Sequence, residues 1–146
     1  MEQISKNFSM EEFGRSVTAR KFGISNEIPE NVKPAIRALV LNLLQPICDR
    51  TGWRDRINSG YRSPALNKAV GGVATSQHVK GEAADNVFFR ADGEVAPVDV
   101  LREVVLSGLP FDQAIAYPTF VHLSYSETRQ NRRQVLYSPT YKGPRL

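Results

Sequence analysis

The two histidines are the first residues of this chain whose type and spacing suggest chemistry. The 146 residues contain only His78 and His122, so any histidine-based metal site has to use both. His122 lies in a strand-like segment, residues 119–125, where alternation puts Phe120, His122 and Ser124 on one face. A histidine beside a serine on one strand face suggests the wall of a cleft. Alone, such a histidine is more often an ordinary core or surface residue, so the interpretation needs a partner.

The segment at residues 76–85 supplies that partner. Gly81 permits a turn, Ala83 and Ala84 leave room for close approach, and Asp85 stands at the head of an apolar strand. A buried carboxylate needs a cation or a hydrogen-bond network. Two imidazoles and one carboxylate, with a coordination position left for water, form the arrangement of a catalytic zinc site. The alternative is that Asp85 is an ordinary turn or cap carboxylate.

Arg62 is a third candidate because it follows a predicted strand and precedes Ser63-Pro64. A guanidinium at a strand end can bind a carboxylate with two hydrogen bonds or stabilise an oxyanion. The alternative is an ordinary surface arginine. The single cysteine, Cys48, excludes a cysteine-rich zinc site and an intramolecular disulfide. It lies in an apolar helical stretch, where a buried structural thiol is favoured over a nucleophile.

The elements that must position these residues follow from periodicity and turn signals. Ser9 and Glu12 have capping-box spacing, residues 20–29 are predicted to be a loop, and a long helix runs from Pro29-Glu30 to Thr51-Gly52 with a kink or break at Pro46. Helices come first and strands cluster late, which predicts an α+β fold with a mostly antiparallel sheet. The further predicted helices are residues 65–70 and 97–106, and the strands are residues 57–61, 83–89, 113–117, 119–125 and 134–137.

Length and composition fit one globular domain over residues 1–146, with 41% hydrophobic and 23% charged residues. No apolar run approaches the ~20 residues of a transmembrane helix. The first ten residues have no apolar region of a secretory signal, so we expect a protein that is cytoplasmic on synthesis. The whole net charge of +4 lies in residues 126–146, which predicts either a solvated basic tail or attraction to a polyanion. No pattern of a nucleic-acid module accompanies it.

Several segments together resemble the zinc D-alanyl-D-alanine carboxypeptidase family. That family includes phage cell-wall peptidases and vancomycin-resistance dipeptidases, and it shares its fold with Hedgehog signalling domains. The resemblance covers roughly residues 7–125. The segments that carry it are Ser-Gly-Tyr-Arg-Ser at 59–63, Asn67, Val-Gly-Gly at 70–72, S-x-H-x-x-G-x-A-x-D at 76–85 and Val-His-Leu-Ser-Tyr at 121–125.

The resemblance implies a Hedgehog/D,D-peptidase-like fold, with helices packed on one side of the sheet, and a zinc peptidase that hydrolyses peptidoglycan stem peptides. It implies that His78, Asp85 and His122 ligate zinc and that Arg62 contacts the substrate or polarises the scissile carbonyl. Further substrate contacts are expected at motif positions Ser76, Gln77 and Ser124. We expect a monomer with a cell-wall peptide as partner, no nucleic-acid or membrane partner, and action on the wall after phage- or lysis-mediated release.

One departure from the family pattern concerns the general base. The family places a carboxylate a few residues before the last histidine, but residues 113–121 contain no acid, and Ala116 or Tyr117 stands at the expected place. Tyrosine, with an ordinary pKa of about 10, is a poor base at neutral pH. Asp112 is the predicted substitute and Glu82 the next candidate. The departure leaves an alternative function open, a catalytically silent zinc domain that binds wall peptides or a protein partner. Another hydrolase substrate on the same scaffold is a third hypothesis.

Overall fold

The computed structural model describes residues 2–146, and Met1, the first residue of the predicted domain, lies outside them. The helices are a 3₁₀ helix at Met10–Phe13, α1 (Val17–Phe22), α2 (Lys33–Leu39), a π-helical turn at Val40–Leu44, α3 (Gln45–Thr51), α4 (Pro64–Ala69) and α5 (Pro97–Ser107). The strands are β1 (Arg54–Ser59), β2 (Ala83–Arg90), β3 (Gly93–Glu94), β4 (Gln113–Ala116), β5 (Val121–Ser124) and β6 (Gln134–Tyr137).

The sheet has the order β1-β2-β5-β4-β6, with β3 paired to β2. Every pairing is antiparallel except that of β4 with β6, which is parallel. The prediction of an α+β fold with a mostly antiparallel sheet is therefore confirmed. β2 carries Asp85 and β5 carries His122, two of the predicted metal ligands. These two strands are direct neighbours near the middle of the sheet.

The helices and the sheet bury a shared apolar core. Phe8, Phe13, Leu43 and Ile47 from the first half of the chain are fully buried together with residues of the sheet such as Phe88. Cys48 is part of the same cluster, and burial is the first cause that raises the pKa of its thiol to about 12. This agrees with the predicted structural thiol, because a protonated thiol is a weak nucleophile. Across residues 2–146, no helix combines the length and the apolar character needed to cross a membrane.

The prediction of a loop over residues 20–29 is wrong at its start, because α1 continues to Phe22. Ser16 caps this helix by accepting a hydrogen bond from the backbone N–H of Ala19 at 3.1 Å. Gly23 ends it in the left-handed conformation, with φ +64°. A serine N-cap and a terminal glycine are standard helix signals, but the exposed Val17 and Phe22 give the segment no buried stripe between them.

The long predicted helix is divided rather than continuous. Regular helix ends at Leu39, a π-helical turn covers Val40–Leu44, and regular helix resumes at Gln45. Pro46 has no backbone N–H to donate to the preceding turn, and π-helical turns are one way a helix absorbs such a disruption. The break predicted at Pro46 therefore lies just before it.

The C-terminal residues contribute a strand and ion pairs, although all of their basic side chains are exposed to solvent. β6 extends the sheet beside β4. Arg129 and Arg132 form ion pairs with the buried Asp112. Arg133 lies over the ring of Phe111, 5.0 Å from its centroid. Three of the basic side chains in this segment therefore make contacts within the protein.

Candidate metal centre

Asp85 and His122 meet across two paired strands. Asp85 on β2 is the direct partner of His122 on β5, so both side chains leave the sheet at the same place. On the other side of β2, Ser59 at the end of β1 is the partner of Asp85, after an irregularity between residues 57 and 59. The sheet register therefore gathers one carboxylate, one imidazole and one hydroxyl without any contribution from a flexible loop.

His78 reaches this place from the segment before β2, and its ring is held by Gly60. The Nδ1 atom of His78 lies 2.7 Å from the carbonyl oxygen of Gly60. Because a carbonyl only accepts, Nδ1 carries the proton in the neutral ring and Nε2 keeps its lone pair. Gly60 is also a point of close approach, since an added Cβ would lie 2.8 Å from the Cα of Phe13. Sequence reasoning assigned no role to Gly60.

The three predicted ligands form one compact donor set. Nε2 of His78 lies 3.3 Å and Nδ1 of His122 lies 3.1 Å from the same carboxylate oxygen, Oδ1 of Asp85. One donor atom from each residue falls within 4.8 Å of the others, a spacing that could hold a metal ion. The side chains are 4%, 12% and 13% exposed for His78, Asp85 and His122, so the set is largely buried but not fully enclosed. Two nitrogens and one oxygen in this arrangement suit zinc.

The electrostatics of Asp85 favour a bound cation. Burial raises the pKa of this carboxyl, but its contacts with His122 and then His78 outweigh burial and hold the pKa well below its ordinary value. Asp85 is therefore an anion in a largely water-free place. Such a charge requires positive partners, which protonated imidazoles or a divalent metal could supply.

Arg62 stands beside this donor set and is fixed by three neighbours. Its Nε donates to Oγ of Ser59 at 3.3 Å, its Nη1 donates to Oδ1 of Asn67 at 3.2 Å, and its Nη2 lies 3.6 Å from Oδ2 of Asp85. Gly72 leaves the space for this network, because an added Cβ would lie 2.1 Å from Oδ1 of Asn67. Ser59 and Asn67 lie in the motif segments of the sequence, but their role as partners of Arg62 was not predicted.

The three predicted substrate contacts are engaged within the protein. Oγ of Ser76 accepts from the backbone N–H of His78 at 3.2 Å. Nε2 of Gln77 lies between Glu82 Oε1, at 3.2 Å, and Asp112 Oδ2, at 3.1 Å. Ser124 is fully buried, and its Oγ accepts from the backbone N–H of Gln113 at 3.0 Å. These contacts favour positioning roles, and the predicted roles in substrate binding stay predictions.

Asp112, the predicted substitute base, is saturated by hydrogen-bond donors. Arg129 donates to both of its oxygens at 2.8 Å, and Arg132 donates through Nε at 3.0 Å and Nη2 at 2.7 Å. The hydrogen bonds from Arg132, reinforced by those from Arg129, hold the pKa of Asp112 well below its ordinary range although burial opposes them. A carboxylate with a strongly lowered pKa accepts a proton poorly, so this geometry favours an anchoring role.

The expected place of the family carboxylate is occupied by Ala116 and Tyr117, which have different surroundings. Ala116 is fully buried in the core. The pKa of the Tyr117 phenol is raised, mainly by burial. The negative charge of Asp85 raises this pKa further, and the positive charge of Arg62 lowers it. The Tyr117 ring stacks on Phe120 with centroids 4.5 Å apart. At neutral pH the phenol is protonated and therefore a hydrogen-bond donor rather than a base.

A His-Asp-His donor set, with two of its residues on paired strands and an arginine beside it, defines a candidate metallohydrolase. The family model described as Peptidase M15 matches residues 6–124. This is most of the chain, and the protein therefore belongs to the peptidase M15 family of zinc peptidases. The match spans all three donor residues and Arg62. A search of curated proteins found no match to this chain.

Proposed function

We propose that this protein is a zinc-dependent peptidase that hydrolyses peptide bonds in the stem peptides of bacterial peptidoglycan, as a D,D-carboxypeptidase or an endopeptidase. The observation that carries the proposal is the convergence of His78, Asp85 and His122 on one point of the sheet, inside the part of the chain that matches the family. The fold is proposed to be Hedgehog/D,D-peptidase-like, and the chain to act as one domain and as a monomer.

The roles of the protein's own residues follow from their contacts. Nε2 of His78, Nδ1 of His122 and the Asp85 carboxylate would hold the ion, and zinc there would supply Lewis-acid activation of water and of the scissile carbonyl. The Gly60 carbonyl keeps the correct nitrogen of His78 available.

Arg62 would bind the substrate. Its hydrogen bonds to Ser59 and Asn67 occupy two of its five N–H groups, and Asp85 at 3.6 Å is an ion-pair partner beyond hydrogen-bond distance, so three N–H groups can donate to a substrate carboxylate or to the developing oxyanion. Because the guanidinium is already oriented, little conformational entropy is lost when substrate binds.

A second candidate function is a catalytically silent zinc domain that binds wall peptides. The observation that favours it is the environment of Asp112 and Tyr117: one is an anion saturated by arginines, and the other is a protonated phenol. Neither group is suited to take a proton from the attacking water. Loss of a general base typically costs on the order of 10²–10⁴ in rate, so slow hydrolysis is compatible with the first function.

The test pairs a zinc assay with timed digestion of purified peptidoglycan, with and without chelator. We expect about one zinc per chain and a chelator-sensitive release of new peptide or amino-acid termini that zinc restores. Bound zinc without release from several wall chemotypes would reject the peptidase in favour of the binding domain. A purified protein that neither contains nor takes up zinc would contradict both functions.

A further inference from the structure

Arg62, which stands beside the metal centre, also lines a cavity. This cavity has a volume of about 270 Å³ and lies between the start of α1, the end of β1 and one face of α4. Arg62 forms part of its wall together with Ser59, the residue that holds the guanidinium. Because Arg62 lies 3.6 Å from Asp85 and Ser59 is the strand partner of Asp85, this cavity adjoins the metal centre.

The lining of this cavity combines two cationic side chains with exposed aliphatic ones. Arg15 and Arg62 both line it, and within residues 2–146 none of the lining residues is acidic. Val17 and Val70 also line it and are 73% and 45% exposed, so two aliphatic side chains border the opening. A ligand that fits this lining carries a negative charge next to aliphatic carbon atoms.

The two arginines are not equivalent. The charge of Arg62 is balanced by Asp85 at 3.6 Å. Arg15 is exposed, and it forms no ion pair with any of residues 2–146. Arg15 also lines a neighbouring cavity together with Glu2, Glu11, Glu27 and Glu30, but Arg62 does not line that cavity. Of the two arginines that line the cavity with Ser59, only Arg15 is therefore without an ion pair among the described residues.

We propose that this cavity is a substrate subsite in which Arg15 selects peptides that carry a carboxylate beyond the bond held at the metal centre. The inference rests on the proposed function, which it deepens by naming an acidic peptide as the preferred substrate. Val17 and Val70 contact the aliphatic part of the acidic residue, and Arg15 donates to its carboxylate. Since an exposed guanidinium contributes most of the charge, the preference weakens as ionic strength rises.

The carboxylate could be that of an internal acidic residue or the free C-terminus of the peptide. Three probes separate these sources: an N-acetylated pentapeptide L-Ala-γ-D-Glu-L-Lys-D-Ala-D-Ala with both carboxylates free, the same peptide with the glutamate α-carboxylate amidated, and the same peptide with its C-terminus amidated. Dissociation constants are measured by calorimetry on the full zinc-loaded chain, and Michaelis constants from initial rates replace them where the peptide is cleaved.

The variants are Arg15→Gln and Arg15→Lys, with Arg20→Gln as matched control. Arg20 is a nearby exposed arginine on α1 that does not line the cavity. We expect Arg15→Gln to weaken binding of the fully charged peptide about tenfold, equivalent to about 1.4 kcal/mol, while leaving one of the two amidated peptides almost unchanged. That amidated peptide identifies the carboxylate that Arg15 binds. Arg15→Lys should keep most of the affinity, and Arg20→Gln all of it.

The outcomes separate this inference from the proposed function. Equal weakening of all three peptides by Arg15→Gln, an equal effect of Arg20→Gln, or no binding of any probe would overturn the subsite, even if wall digestion shows that the protein is a peptidase. If Arg15→Gln weakens binding of the fully charged peptide and spares only one amidated peptide, without any turnover, the subsite is supported and hydrolysis is refuted. The Arg15 side chain is exposed, so a loss of folding is not expected, and unchanged thermal unfolding of each variant checks this.

Discussion

Asp85 and Asp112 are two buried aspartates at the same sheet, and their partners make them opposites. Asp85 faces the imidazoles of His78 and His122 at 3.1–3.3 Å, whereas Asp112 faces the guanidiniums of Arg129 and Arg132 at 2.7–2.8 Å. An imidazole can give up its proton and present a lone pair to a metal, but a guanidinium stays protonated. Burial of a carboxylate alone therefore does not identify a functional site; the chemistry of its partners does.

The same comparison explains why the two regions serve different ends. In the Asp85 region, His78, Asp85 and His122 each offer one donor atom to a metal ion. This region also lies beside two residues that line a cavity, Ser59 and Arg62. The Asp112 region is closed, because Gln77 adds a further donor to four guanidinium N–H groups and the backbone N–H of Arg132. Gln77 is adjacent to His78 in sequence, so the closed region fixes one end of the segment that carries a proposed ligand. We interpret Asp112 as an anchor that ties residues 129–132 to the back of the metal centre.

The largest expected effect comes from removing the charge of Asp85. Asp85→Asn leaves the side chain almost the same size but replaces an anionic ligand with a neutral one. Because loss of a mere partner of a metal ligand costs about 10–100-fold in metal affinity, loss of the ligand itself should cost more than about 100-fold. Zinc content by mass spectrometry, after dialysis against a weak chelator, measures it.

Asp112→Asn is the matched control for that experiment. It makes the same chemical change at the other buried aspartate and should leave about one zinc per chain. If both variants lose zinc equally, the contrast between the two regions is false. If neither does, Asp85 is not a ligand.

The next effect concerns the missing base. Tyr117→Glu places a carboxylate where the charges of Asp85 and Arg62 are felt, and we expect hydrolysis of peptidoglycan to become about 10–100-fold faster. Tyr117→Phe is the control, since it removes only the hydroxyl and supplies no base. Timed release of termini from the wall gives the rates. A glutamate variant no faster than the wild type would show that another group already serves, and Asp112 would have to be reconsidered despite its arginines.

The candidate ligands could be predicted from sequence because histidine is scarce. With only two histidines present, a site that needs both is a narrow hypothesis, and the strand-like surroundings of His122 and Asp85 made their meeting plausible. The direct pairing of Asp85 with His122 depends on sheet register, which residue types alone do not specify. The Gly60 carbonyl that fixes His78 is a backbone group, and backbone contacts leave little trace in side-chain patterns.

The regular elements with strong periodicity were also predictable. The partners of the charged residues were not, and these failures share a cause. β2, α5 and β6 lie where alternation, helical spacing and end signals put them. The ion pairs of the basic C-terminal segment were not predicted because the partner of Arg129 and Arg132 is Asp112, about 20 residues away in sequence. The same distance hid the fate of the predicted base. A charge in a sequence shows its sign but not its partner, and the partner decided each of these cases.

A smaller effect is expected on stability from Asp112→Asn. The variant loses charge-assisted hydrogen bonds to two half-exposed arginines, which should lower the free energy of unfolding at pH 7 by about 2 kcal/mol. Because the folded-state pKa of Asp112 is lowered, its contribution is present above the unfolded pKa of about 3.9 and is lost as pH falls through the folded value. Urea unfolding at pH 7 and pH 3 should thus show a gap that narrows in acid. A constant gap would mean that the carboxylate charge is not what stabilises this region.

The smallest and most discriminating effect has the opposite sign and comes from a third aspartate, Asp55 on β1. Both of its carboxylate oxygens are buried, with no hydrogen-bond partner among the described residues. Burial is the first cause that raises its pKa well above the ordinary value, and the charge of Glu12 adds to it. A raised pKa means that any stabilisation is complete below the unfolded pKa of about 3.9 and is lost as pH rises through the folded value. Asp55→Asn should therefore raise the free energy of unfolding at pH 7 by about 1 kcal/mol and change it little at pH 3.

The same substitution at Asp55 and Asp112 thus tests the comparison directly, because burial is shared and only the partners differ. Urea unfolding of both variants and the double variant at the two pH values gives the signs, and the two effects should add if the sites are independent. Destabilisation by Asp55→Asn at pH 7 would show that the Asp55 carboxylate has a partner in solution. The rule that partners rather than burial set the role of each aspartate would then hold for Asp85 and Asp112 but would have to be re-derived for Asp55.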